Sequence, residues 1–161
     1  MELMTLYIPS SSTLKTPKNS ISMCTWVNVN DWYNTNWAPL FVKSNSGYGM
    51  YGMQLLNFSD AKQLEVHLNS YYANANYTFS LNQWYFVVFT WDGNTARYYV
   101  NGSQIGQKSV TGNITSDNEP LIIGQDPPEI NEYLKGKLDE IRIYDKAISQ
   151  NSIDSLYNLT H

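Results

Sequence analysis

A single cysteine, Cys24, stands in 161 residues, so no internal disulfide framework holds this chain together. A domain of this length buries enough apolar surface to do without one. Charge is scarce as well. Asp, Glu, Lys and Arg make up 15% of the residues and the net charge is −4, against a usual charged share near a quarter. Lys15 and Lys18 are separated, and Arg97 and Arg142 stand alone in strand-like segments, so the sequence offers no basic cluster to nucleic acid or to an anionic membrane. Histidine is limited to His67 and His161. With one cysteine and two distant histidines a zinc site lacks ligands, and no G-x-S-x-G elbow supports Ser–His–Asp chemistry. No apolar run approaches a membrane span, and MELMTLYIP has no basic region followed by an apolar core, so it is not a signal peptide.

What the chain has instead is aromatic and amide side chains: thirteen Tyr and five Trp, with frequent Asn and Ser, predict a polar but uncharged surface. Asn is so frequent that chance accounts for the N-x-S/T sequons at Asn57, Asn76, Asn101, Asn113 and Asn158. The period is that of strands. Trp84 to Trp91 is rich in aromatic and β-branched residues, Asp92-Gly93-Asn94 tolerates positive φ, and Arg97 to Val100 alternates before Asn101-Gly102, the strongest two-residue hairpin signal. About ten short strands are expected in all. Thr5 to Ile8 reads as an edge strand ended by Pro9. Ser20 to Val29 alternates, with Ile21, Met23, Thr25 and Val27 on one face and Ser22, Cys24, Trp26 and Asn28 on the other. Leu40 to Lys43, Met50 to Leu55, and Gln63 to Asn69 read as half-buried strands, whereas Asn30 to Pro39 and Ser70 to Thr78 read as long aromatic loops. Ser149 caps a short helix with Ile153, Leu156 and Tyr157 on one face. Trp84 to Trp91 is apolar on both faces, which marks a central strand covered twice. Its second cover is either a concave ligand-binding face or loops.

The order of these motifs, from LYIPSSSTL at Leu6 through WDG, YVNG, PLIIG (Pro120 to Gly124) and GKLDEIRIYDKAIS (Gly136 to Ser149) to the terminal helix, resembles the laminin-G-like branch of the concanavalin A-like superfamily. The resemblance covers nearly the whole chain. It implies an all-β, two-sheet antiparallel jelly roll with a short C-terminal helix, a single domain over residues 1–161. In the resembling family a strand and an aspartate-containing turn precede the segment equivalent to LYIP. With these absent here, the resemblance implies a module of a longer exported or cell-surface protein. The strand SISMCTWVNV resembles one that in pentraxin relatives carries a paired cysteine, whose partner position is Val88 in this sequence. Cys24 is accordingly expected to be a buried, inert thiol against Val88.

Glycoside hydrolases of the same superfamily carry carboxylates on alternating positions of one strand, within reach of one sugar bond. The comparable segment here is Leu138 to Asp145, and alternation puts Glu140 with Arg142 and Tyr144 but Asp139 with Ile141 and Ile143. Glu140 is then neutralised by Arg142, no second carboxylate joins it, and the domain reads as non-catalytic. Binding remains. Sugar rings stack on Trp or Tyr while Asn, Gln, Asp and Ser match their hydroxyls. Trp32, Tyr33, Tyr71 and Tyr72 are the candidates. Trp37 and Tyr77 are as readily plugs for the sandwich ends, and the face across Trp26 and Tyr85 is the next candidate surface. Calcium, frequent in the resembling family, would use the oxygen-rich loop Gln125 to Glu132 around Asp126, a segment equally readable as an ordinary solvated loop. Asp139 is expected to be a buried acceptor of backbone N–H groups. The expected function is glycan or polysaccharide recognition, the alternatives a protein-binding adhesion module or a structural spacer.

Overall fold

The computed structural model describes residues 5–15, 17–32, 36–44, 50–69, 71–127 and 132–159. Eleven strands and one helix follow in order: Leu6–Ile8 (β1), Ile21–Asp31 (β2), Trp37–Lys43 (β3), Tyr51–Asn57 (β4), Lys62–Leu68 (β5), Tyr71–Asn76 (β6), Trp84–Trp91 (β7), Thr95–Val100 (β8), Ser103–Ser109 (β9), Leu121–Ile123 (β10), Lys135–Tyr144 (β11) and Gln150–Leu159 (α1). They form a six-stranded sheet, β1-β10-β3-β4-β5-β6, and a five-stranded sheet, β11-β2-β7-β8-β9. Every pairing is antiparallel. This is the jelly-roll sandwich the motif order implies.

Local chemistry sets the two hairpins after β7. Asp92 Oδ1 accepts the N–H groups of Asn94 and Thr95 at 3.0 and 2.8 Å, while its Oδ2 takes Arg97 Nη1 at 2.8 Å. Asn101 and Gly102 have φ values of 50° and 80°, the doubly left-handed pair that matches strand twist in a two-residue turn.

Between the sheets lies one core, to which β2 contributes Ile21, Met23, Val27 and Val29, β4 and β5 contribute Met53, Leu55, Leu64 and Val66, and β7 contributes Val87 and Phe89. The opposite face of β2 and β7 carries Cys24, Trp26, Phe86 and Val88, and these pack with Ile153, Leu156 and Tyr157 of α1. The double apolar pattern of β7 thus has a third explanation, neither loops nor a ligand face: a helix covers it. Ser149 caps that helix, its Oγ accepting Ser152 N–H at 3.3 Å.

Two expectations for β11 change. Its register moves from Asp139↔Trp26 to Arg142↔Cys24, so one extra residue is inserted, and Glu140 sits at φ 53°, as a bulge requires. Leu138, Ile141 and Ile143 therefore face the core together, and Asp139 shares the outer face with Arg142. Asp139 is also exposed rather than buried, its Oδ1 accepting the Glu140 N–H at 2.8 Å.

Candidate functional site

Tyr71–Asn76, expected as part of a loop, is strand β6, the last strand of the six-stranded sheet. Its inward positions are Ala73 and Ala75, and its outward ones are Tyr72, Asn74 and Asn76, so neither face looks like a strand by propensity. The alanines are needed because β9 crosses close by. A Cβ added to Gly106 would lie 2.9 Å from the Ala75 Cβ, and Lys108 Nζ donates to Asn74 Oδ1 at 2.6 Å. Because consecutive strand residues point to opposite faces, the neighbours Tyr71 and Tyr72, 46% and 41% exposed, look onto two different surfaces.

Tyr71 borders a cleft of about 130 Å³ at one end of the sandwich, lined also by Leu68, Asn69, Trp91 and residues 110–114. The loop that walls the cleft is pinned from both sides. Asn69, at φ 54°, donates through Nδ2 to the Asn113 carbonyl at 2.8 Å and accepts Thr115 N–H on Oδ1 at 2.9 Å. Trp91 Nε1 donates to the Val110 carbonyl at 2.6 Å. The lining combines an exposed phenol ring, indole and aliphatic surface with amides and hydroxyls, and it carries no charged residue. Such a cleft can stack against an apolar ring face and hydrogen-bond neutral substituents at once.

Tyr72 lies on the outer face of the six-stranded sheet, its ring edge-on to that of its cross-strand partner His67, with centroids 4.3 Å apart. Here β5 departs from the half-buried pattern, since Glu65 and His67 are buried, as well as their inward neighbours. Gln54 Nε2 lies 2.8 Å from Glu65 Oε1 and 3.0 Å from His67 Nε2. His67 Nε2 also lies 3.4 Å from Glu65 Oε1, so the three side chains form one buried polar cluster. His67 Nδ1 has no partner among the described residues. Asp126 is buried over the same face, beside a cavity of about 10 Å³ that His67 and Gln54 also line.

The structure does not bring Trp32 together with Tyr71 and Tyr72. Trp32 was expected to be an exposed platform. It is 9% exposed and belongs to the main core, because β2 runs on to Asp31 and carries the indole over the end of the sandwich. It sits at the end opposite Tyr71: Trp91, which borders the Tyr71 cleft, pairs with Ile21 at the far end of β2. Tyr33 lies outside the described residues. The face across Trp26 and Tyr85 is not a surface, since Tyr157 stacks on Trp26 at 5.6 Å and Tyr85 packs on the other side of β7. Trp37 and Tyr77 do plug the second end, Trp37 edge-on to Phe58 at 5.3 Å and Tyr77 against Phe79 at 4.7 Å. Trp84, 39% exposed beside Asn28, is an aromatic platform that sequence reasoning missed, because it opens a strand whose other residues are core.

Among the described residues no three His, Cys, Asp or Glu side chains gather as metal ligands. Of the Asp126 loop, residues 128–131 lie outside the described residues. Asp126 N–H donates to the Glu132 carbonyl at 3.2 Å. Glu140 forms an ion pair with Arg142, as alternation suggested, although the bulge produces it. Cys24 is buried with Val88 as its cross-strand partner, and burial pushes its thiol up to about 12, outweighing the nearby Arg142.

Residues 5–154 match the family described as the concanavalin A-like lectin/glucanases superfamily, in its laminin-G form, and the chain belongs to that family. A stretch of the adhesion G-protein coupled receptor V1 of Danio rerio is 23% identical over 163 aligned residues, which is 94% of this chain and 3% of that receptor's length. The heptameric SAP-like pentraxin of Limulus polyphemus superposes with a TM-score of 0.70 at 20% identity, covering 95% of this chain and 81% of the pentraxin chain. A carbohydrate binding protein from Bacteroides ovatus, so named as a proposal, superposes at 0.71 with 16% identity, over 96% of this chain and 47% of its own. At these identities the structures establish shared fold alone.

Proposed function

We propose that this domain is a non-catalytic recognition module that binds a glycan or polysaccharide around the start of β6, as part of an exported or cell-surface protein. The observation that carries the reading is the placement of Tyr71 and Tyr72, two exposed rings on one edge strand, with amide and hydroxyl groups held in fixed positions beside them. Tyr71 supplies the stacking platform, Asn69 orders the loop that bears Thr111 and Asn113, and Tyr72 extends the aromatic surface over the sheet edge. Stacking and neutral hydrogen bonds are the whole mechanism, and affinity rises when several copies or an attached domain act together. The name of the Bacteroides protein supports the reading. No catalytic step is assigned, because Glu140 is tied to Arg142 and Glu65 to Gln54.

The experiment is a glycan array probed with the domain and with Tyr71→Ala, in calcium and in chelator. Binding to a defined saccharide set that Tyr71→Ala abolishes is the expected result; an array with no binder sinks the reading. A second reading, a protein-binding adhesion module, is favoured by the receptor relative and by the exposed Leu6 and Tyr7 on edge strand β1. It predicts an empty array and a partner that protects β1.

A further inference from the structure

Lys15 and Lys18 look isolated in the sequence, yet the fold places both on one open groove of about 660 Å³, with Ser12, Ser116, Asp117 and Asn118 as the other lining residues. Ser12 and the lysines come from the connector between β1 and β2, and Ser116, Asp117 and Asn118 from the segment between β9 and β10; the connector is fastened to that segment and to β4. Ile114 N–H donates to the Lys18 carbonyl at 2.6 Å, and Tyr51 OH donates to the Leu14 carbonyl at 3.0 Å.

The electrostatics of the groove are one-sided. Its one acid among the described residues, Asp117, is taken from beneath by the fully buried Lys43, whose Nζ lies 2.7 Å from Asp117 Oδ1 and also donates to Ser10 Oγ at 3.2 Å and the Glu119 carbonyl at 2.5 Å. Lys15 Nζ donates to Asn118 Oδ1 at 3.0 Å, a neutral acceptor that leaves its charge uncompensated and two of its hydrogens available. Lys18 is exposed, with no ion-pair partner among the described residues. On a chain of net charge −4, this groove is a local positive site with hydroxyl and amide neighbours. The same segment, residues 110–118, walls both this groove and the Tyr71 cleft, and Ile114 of the cleft is hydrogen-bonded to Lys18 of the groove, so the two sites adjoin.

Resting on the glycan reading above, we infer that the preferred ligand is an anionic saccharide, its ring against Tyr71 and its carboxylate or sulfate on Lys15 and Lys18. Two lysines are too few to grip a polyphosphate backbone against the overall negative charge, whereas an acidic sugar needs only one or two such contacts per residue.

Polygalacturonate and its fully methyl-esterified form present the same ring with and without charge, and a sulfated galactan presents the other acid. Calorimetry with chelator present, to exclude calcium bridging, should show the two acidic polymers binding more tightly than the ester. That preference should shrink as salt rises from about 0.01 M to about 0.15 M, where the screening length falls from roughly 30 to 8 Å. Lys15→Gln and Lys18→Gln should each weaken the acidic polymers roughly three- to tenfold, leaving the ester and the melting temperature unchanged. Tyr71→Ala should weaken both forms. Equal binding of acid and ester, or lysine variants that keep the acid preference, overturns the anionic assignment while the glycan reading stands; no binding to any of the three overturns both.

Discussion

The ring of Tyr157 lies 5.6 Å from the indole of Trp26, with the planes 20° from parallel, and this stacked pair joins the terminal helix to the outer face of the five-stranded sheet. Phe86 completes the contact, 5.4 Å from Trp26 and 6.2 Å from Tyr157. Ile153, fully buried, fills the space over Cys24 and Val88. The helix is therefore part of the fold rather than an appendage, and its removal would expose a strip of aromatic surface.

Ile153→Ala is expected to destabilise the domain by about 2–4 kcal/mol and Tyr157→Ala by a comparable amount, because each empties a packed position. For a domain of this size that is a fall in Tm of roughly 5 to 15 °C. Urea unfolding monitored by tryptophan fluorescence measures it, and a Tyr157→Ala variant as stable as the parent would show that α1 only rests on the sheet.

Cys24 should react slowly with a thiol reagent in the native protein and rapidly once unfolded. Rapid native labelling contradicts its burial. Cys24→Ser should cost roughly 1–3 kcal/mol, since it buries a hydroxyl among the apolar Trp26, Phe86 and Val88.

Stability should fall in alkali. Burial raises the Cys24 thiol from an ordinary 9.0 to about 12 and raises the phenols of Tyr51 and Tyr98 above their ordinary 10.0. Between pH 9 and about 12 the unfolded chain releases the thiol proton while the folded chain still holds it, so rising pH favours unfolding. The phenols add to the loss above pH 10, and the contribution of all three groups is fully present below pH 9. Urea midpoints at pH 8, 9.5 and 10.5 test this; a flat profile would argue against these burials.

Trp32→Ala and Tyr72→Ala should behave oppositely. Trp32 belongs to the core, so its loss should cost about 3–5 kcal/mol of stability. Tyr72 is largely a surface ring, and its loss should weaken glycan binding about tenfold while the melting temperature changes little. Both variants need both measurements. A stable Trp32→Ala protein that has lost binding would return the site to that end of the sandwich.

Calcium, proposed near Asp126, should bind weakly, because no three carboxylates gather there among the described residues and the cation takes six or more oxygens. Millimolar calcium is expected to raise Tm slightly relative to chelator, and Asp126→Asn should remove the rise. No shift in the parent protein would leave Asp126 as a structural carboxylate in an ordinary loop.

The sandwich itself was readable because its strongest signals are local. The turns at Asp92-Gly93 and Asn101-Gly102 carry backbone conformations written in their side chains, and Ile21 to Val29 alternates cleanly enough to predict which of its residues face the core and which face the helix. The pairing of Cys24 with Val88 followed from family resemblance and is what the register shows. Strand β6 escaped notice because Ala and Asn are weak strand formers, and only its neighbours β5 and β9 demand that shape. The bulge at Glu140 escaped for a related reason: a strict two-residue period cannot reveal where one residue is inserted.

Sequence alone determined which segments alternate, where the chain turns, and that few charges would meet solvent. These are properties of neighbours along the chain, decided by backbone preference and by the partition of each side chain between water and core. Tertiary structure alone decided that Trp32 is core and Tyr71 is surface, that the polar Glu65 and His67 are buried, and that Lys15 and Lys18 share a groove whose acid is neutralised by Lys43. Those outcomes depend on what crosses over each residue from a distant part of the chain, and burial and local field are set by that cover rather than by the residue itself.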